Sequence, residues 1–250
     1  AVNITGTDDI TINTTGSITA SGAANIDIDS SAGHIRSNVE DDDAAEIITA
    51  GGTISLEARD GIADSSGADG FEIDSGGGNV TLVADGTGAV FVDYVAADAD
   101  ALTLALTATA ATGAMNYESV ATGALTLDAV STAGNAVTIS HAGDIAATSV
   151  TTTTGNQTIS TSSGDIALLG TANPAIDLTT GALELTASGA ITVTTNAANT
   201  DISTDGNVAL HATGIGATNS LDIGLDADGG TLTVDSNGNA AVDIDAAANT

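Results

Sequence analysis

The sequence predicts an all-β fold: a parallel β-helix, or β-solenoid, with about 20 residues per coil and roughly twelve coils. Three observations carry that expectation. A unit of Gly or Asn, then a small or acidic residue, then alternating aliphatic and polar residues returns along almost all 250 residues. The alternation has period two, not helical spacing, and it uses Thr, Val and Ile, which suit a pleated, half-buried surface. Aromatic residues are only 2% of the chain (Phe71, Phe91, Tyr94 and Tyr117), too few to fill an irregular globular core. Each unit is a turn and a strand too short to bury a core alone. Stacking many such units builds one continuous aliphatic column.

In chain order, Gly16-Ser17-Ile18-Thr19 opens the series. Gly52-Thr53-Ile54-Ser55-Leu56, Gly78-Asn79-Val80-Thr81-Leu82 and Gly123-Ala124-Leu125-Thr126-Leu127 follow. Gly143-Asp144-Ile145, Gly164-Asp165-Ile166-Ala167-Leu168, Gly181-Ala182-Leu183-Glu184-Leu185, Gly189-Ala190-Ile191-Thr192-Val193 and Gly230-Thr231-Leu232-Thr233-Val234 complete it. The first aliphatic residues of alternate units form one series: Ile18, Ile35, Ile54, Val80, Leu102, Leu125, Ile145, Ile166, Leu183, Ile202, Leu221 and Val242. A second series falls between them, from Ile26 and Ile47 to Val208 and Leu232. At about 4.8 Å per stacked strand, roughly twelve coils make a rod of about 55–60 Å. The Ala-rich stretch 97–114 could pass for helix by composition, but Leu102-Thr103-Leu104-Ala105-Leu106-Thr107 again alternates. The whole chain reads as one solenoid array with a less regular acidic loop region at about 38–78. That region holds Glu40, Asp41, Asp42, Asp43 and Glu46, has the arginines in or beside it, and closes on Gly76-Gly77-Gly78.

Charge excludes whole classes of partner. There are 33 Asp and Glu against two basic residues, Arg36 and Arg59, for a net charge of −31. Such a chain repels nucleic acid and anionic lipid surfaces, so neither is an expected partner. There is no cysteine, hence no disulfide framework and no thiolate metal site. No apolar run reaches the ~18 residues of a membrane span, and no signal peptide is recognised. The first residue is Ala1, which suggests a processed protein or a segment of a longer one. Both Ala1-Val2-Asn3-Ile4-Thr5 and Ala241-Val242-Asp243-Ile244-Asp245 read as repeat interior, without the polar caps a solenoid needs. The expectation is a longer array, or head-to-tail docking of copies into a filament.

Candidate ligand chemistry rests on the carboxylates. Calcium takes several carboxylate and carbonyl oxygens, and Asp pairs at i and i+2 share a strand face. Asp27/Asp29, Asp98/Asp100, Asp226/Asp228 and Asp243/Asp245 have that spacing. Asp235-Ser236-Asn237 copies the first oxygen positions of a calcium loop, but Ala240 and Ala246 stand where its glycine and bidentate glutamate belong. The weak cation candidates are therefore Asp41, Asp42, Asp43, Asp226, Asp228 and Asp235. No cofactor is required, and any Ca2+ is expected to bind only weakly. His34, His141 and His211 lie far apart and read as scattered surface residues.

Catalysis is not expected. Glycosidase chemistry needs two positioned carboxylates, which are plentiful, but a lyase on acidic sugars wants a basic residue, and aromatic sugar platforms are scarce. No nucleophile elbow, phosphate loop or metal triad is present. Thr-x-Thr rows suited to ice (Thr107/Thr109, Thr192/Thr194, Thr231/Thr233) do not recur on every coil. Asn3, Asn13, Asn79 and Asn156 fit the N-glycosylation pattern, which arises often by chance in a Thr-rich chain.

The Gly-Asp/Asn/Ala-Ile/Val/Leu-x-Leu/Ile units resemble filamentous haemagglutinin-type repeats of giant bacterial surface and two-partner-secreted adhesins, over nearly the whole chain. That resemblance implies a right-handed parallel β-helix, an extracellular or cell-surface location, and repeats that act as scaffold and carry no functional residue. Their secretion domain is not recognisable here. Composition and resemblance together lead to the expectation of a structural protein of a surface fibre, sheath or biofilm matrix, self-associating end to end. The alternative is the stalk of a large adhesin whose binding tip lies elsewhere.

Overall fold

The computed structural model describes residues 1–13, 17–38, 44–64, 70–109, 113–169, 174–194, 200–216, 219–226, 230–238 and 241–249, with only the backbone of Asp64, Asp226 and 246–249. Every regular element among them is a β-strand, and the strands stack in parallel as a β-solenoid. No described helix is long and apolar enough to cross a membrane.

Two sheets run along the stack. The main path of the first carries eleven strands: Val2–Gly6, Ile26–Ser30, Ile54–Ala58, Asn79–Ala84, Leu102–Ala108, Leu125–Thr132, Val150–Thr152, Ile176–Leu178, Ile202–Thr204, Leu221–Asp226 and Ile244–Asn249. That of the second carries ten: Ile10–Ile12, His34–Ser37, Gly61–Asp64, Val90–Tyr94, Met115–Ser119, Val137–His141, Gln157–Thr161, Leu183–Ala187, Val208–Ala212 and Leu232–Ser236. The core is a set of columns in strict register. One runs Ile4, Ile28, Leu56, Leu82, Leu106, Val130, Val150, Ile176, Ile202, Ile223. Alternation puts these side chains inside, where nearly all are 0–2% exposed. Fully burying an aliphatic side chain contributes about 1.5–3 kcal/mol.

The coil is longer than the sequence reading expected. The chain makes about nine turns of ~24 residues, so at about 4.8 Å per turn the rod is roughly 45 Å long. The expected series mixed faces. Ile18 stacks on Ile47 on a third face, Ile35 stacks between Ile10 and Ile62 on the second sheet, and Ile54 stacks on Val80 on the first. All faces use the same Gly-x-aliphatic unit, so stepping between them shortened the apparent period.

The cross-section changes along the rod. At one end Ile18–Ala20, Ile47–Thr49 and Phe71–Asp74 form the third face. The single strand Val90–Tyr94 then replaces two: Val90 pairs with Ile62, and Val92 to Tyr94 pair with Phe71 to Ile73. Farther on, Leu125–Thr132 splits again, its first part pairing with Ile145–Ala147 and its second with Val150–Thr152. A register shift in its pairing with Leu102–Ala108 leaves Asp128 without a counterpart. The intervening coils have two faces and bury Tyr94 and Tyr117, while Phe71 is buried on the last strand of the third face before the change. The aliphatic column expected throughout is thus interrupted by rings where the cross-section changes. The Ala-rich stretch contributes the strand Leu102–Ala108, as its alternation predicted.

The corners explain the repeat unit. A Cβ added to Gly206 would collide with the carbonyl oxygen of Gly181 one coil away; Gly181 stands likewise to Gly155, and Gly155 to Asn135. At another corner Gly78 meets Gly52, and Gly143 meets Gly123. The residue after such a glycine often reaches the next coil. Asp144 Oδ1 accepts Asp165 N–H at 2.9 Å and Asp165 Oδ1 accepts Ala190 N–H at 2.6 Å; Asn25, which follows Ala24, likewise accepts Thr53 N–H at 3.0 Å. Asn156 and Asn207 do the same for Ala182 and Thr231. Asp144 and Asp165 of the unit are therefore acceptors that close a corner, as are its asparagines.

Candidate functional site

The carboxylates divide by position. On the first sheet Asp27 and Asp29 point outward from Ile26–Ser30, and Glu57 follows Asp29 in register. Hydrogen bonding with Asp85, burial, and the charges of Asp85, Asp29 and Asp27 hold the Glu57 carboxyl above its ordinary range. At the far end Asp222 lies in register with Asp245. Burial, then the charges of Asp245 and Asp243, raise its carboxyl too. Asp201, 7% exposed, accepts Asp222 N–H through Oδ2 at 2.9 Å, and burial raises its carboxyl despite that bond. These outward rows repel themselves and attract counter-ions.

Of the sequence candidates, Asp41, Asp42, Asp43 and Asp228 lie outside the described residues. Asp226 ends the strand Leu221–Asp226, where its backbone pairs with Asn249. Asp235 is exposed and stands 3.7 Å from His211 Nδ1 on the adjacent coil. Among the described residues no three His, Asp or Glu side chains are grouped to hold a metal ion. The acidic region at 38–78 contains Ile47–Thr49, Ile54–Ala58, Gly61–Asp64 and Phe71–Asp74, all within the solenoid.

Of the histidines expected at the surface, His34 and His211 are partly exposed and each faces an aspartate, whereas His141 is buried. His34 Nδ1 lies 3.1 Å from Asp9 Oδ1, which also accepts His34 N–H at 2.9 Å. Those two hydrogen bonds, backbone first, lower the Asp9 carboxyl. His141 is 1% exposed, with Nε2 2.7 Å from the Gly123 carbonyl oxygen and Nδ1 buried without a partner. Burial depresses its imidazole, so the neutral ring donates from Nε2. It sits in a column between Ser119 and Thr161, and its small polar neighbours were the only sequence hint.

The least exposed described carboxylates, Glu46 (3%) and Glu72 (2%), were not singled out as a pair by the sequence. Glu72 N–H donates to Glu46 Oε2 at 2.9 Å, and Ser37 Oγ donates to Glu46 Oε1 at 3.0 Å. They lie on adjacent third-face coils, 26 residues apart, a spacing visible only once the coil length is known.

No known protein family, curated protein or solved structure matches the chain.

Proposed function

We propose that the chain is an extracellular structural protein: a β-solenoid subunit or segment of a bacterial surface fibre, sheath or biofilm matrix, of the filamentous haemagglutinin repeat type. The observation that carries this reading is the continuity of the two sheets. Eleven and ten strands succeed one another without a break in pairing, over a core built almost wholly of stacked aliphatic side chains. Among the described residues the outermost strands, Val2–Gly6 and Ile244–Asn249, each pair on one side only. A further coil can add at either edge, from the same polypeptide or from a second copy. The function is then mechanical and needs no catalytic group or cofactor: backbone ladders and an aliphatic column make a stiff rod, and acidic faces hold water and weakly bound cations such as Ca2+. The second reading, a stalk segment of a large adhesin, rests on the same continuity and differs only in self-association.

Electron microscopy of the purified chain at low concentration separates them. Fibres with an axial repeat near one strand spacing, about 4.8 Å, are expected for the matrix subunit. Isolated rods of roughly 45 Å would instead assign the chain to a stalk, and compact globular particles would end both readings.

A further inference from the structure

The buried pair Glu46 and Glu72 has no part in the mechanical reading, and its surroundings make it unusual. Glu46 N–H donates to the Glu72 carbonyl at 3.0 Å, and Ile47 pairs with Ile73, so the two residues enter the third-face strands on successive coils. Both oxygens of Glu46 receive donors, Ser37 Oγ and Glu72 N. Glu46 is thus satisfied as an acceptor at both oxygens. Glu72 has the opposite environment: its Oε2 is buried without a hydrogen-bond partner.

Among the described residues the charged groups around the pair are acidic. Asp93 follows Glu72 in register on the next coil, and Asp74 lies two residues on along the same strand. Arg36, beside Ser37, alternates away from the buried face and acts on Asp9. The neighbouring strand Ile18–Ala20 carries no charged residue. Two carboxyl groups one strand spacing apart and withdrawn from water do not both ionise.

We propose that Glu46 and Glu72 form a buried carboxylate–carboxylic acid pair holding one proton, a clasp that joins adjacent coils of the third face and loosens when that proton passes to solvent. Burial, then the hydrogen bond with Glu46 and the Glu46 charge, push the Glu72 carboxyl up to about 8. The sign follows from linkage. The folded protein binds this proton more tightly than the unfolded chain, whose ordinary glutamate value is 4.5. Its stabilising contribution is therefore complete below that value and declines as pH rises through about 8. His141 acts in the opposite sense, since a depressed imidazole costs stability as pH falls through its ordinary value of 6.5.

The test is a carboxyl-carbon NMR titration of the full chain, with hydrogen-exchange protection of residues 47–49 and 71–74 corrected for intrinsic rate. The expected result is a Glu72 midpoint near 8, with protection at both segments falling at least tenfold across that midpoint. Glu72→Gln, a neutral mimic of the protonated acid, should remove the fall, whereas Glu57→Gln should leave it in place. Should Glu72→Gln fail to fold, Glu46→Gln serves: it removes the partner charge and should lower the Glu72 midpoint by more than one unit. A Glu72 midpoint in the ordinary carboxylate range, or protection that falls equally in Glu72→Gln, would overturn the proposal.

Discussion

Gln157 occupies a position that the rest of its column gives to apolar side chains. Val137 and Leu183 flank it in register, with Met115 and Val208 beyond them. It is 1% exposed, and neither its Oε1 nor its Nε2 has a hydrogen-bond partner. An amide so placed loses its hydration without replacement. Gln157→Leu is therefore expected to stabilise the protein by about 1–3 kcal/mol, read as a higher urea midpoint at unchanged slope. A lower midpoint would mean that the amide is satisfied by ordered water. Nothing in the sequence signals this, since Asn156-Gln157-Thr158 shows only a glycosylation pattern of the kind that arises often by chance. In the fold Asn156 Oδ1 instead accepts Ala182 N–H at 3.0 Å.

At the scale of the element, the corner is where sequence and geometry meet. Gly206 has no left-handed backbone to account for it; what excludes a side chain is the carbonyl of Gly181 one coil away. Gly22 is the converse case, with φ +63° and nothing within 4 Å of an added Cβ. Gly206→Ala is expected to cost about 2 kcal/mol or more, through the displacement a packed backbone must undergo. Gly22→Ala should cost only the about 1–2 kcal/mol of left-handed strain. Thermal melts of the two variants check the order, and equal losses would refute the steric account of the repeat. This also explains how far the fold was legible. The Gly-Asx-aliphatic unit is imposed by each corner, so strands such as Ile166–Leu168 could be read directly. The coil length was not, because Leu183 on the second sheet and Ile191 on the third face follow the same unit. Pairings such as Glu46 with Glu72 depend on that length and stayed hidden with it.

For the whole molecule, the balance to settle is between a stack that contacts only its neighbours and a charge that acts along its length. The chain carries −31, and its outward carboxylates recur on adjacent coils, as with Asp29 and Glu57 or Asp222 and Asp245. Like charges one strand spacing apart destabilise the stack that holds them there. The apolar columns and corner hydrogen bonds outweigh that repulsion but do not remove it. Screening should therefore stabilise this rod, in contrast to a protein held by surface ion pairs. The Debye length falls from about 30 Å at 0.01 M salt to about 3 Å at 1 M. Tm is expected to rise steadily with NaCl over that range. Calcium at matched ionic strength should raise it further, because a divalent ion placed between stacked carboxylates contributes more than a diffuse atmosphere. A calcium effect equal to that of sodium would reduce the acidic faces to hydration and solubility alone. A Tm that stays flat or falls with NaCl would mean that the coil spacing already accommodates the charge, and cation screening would then have no structural role in the solenoid.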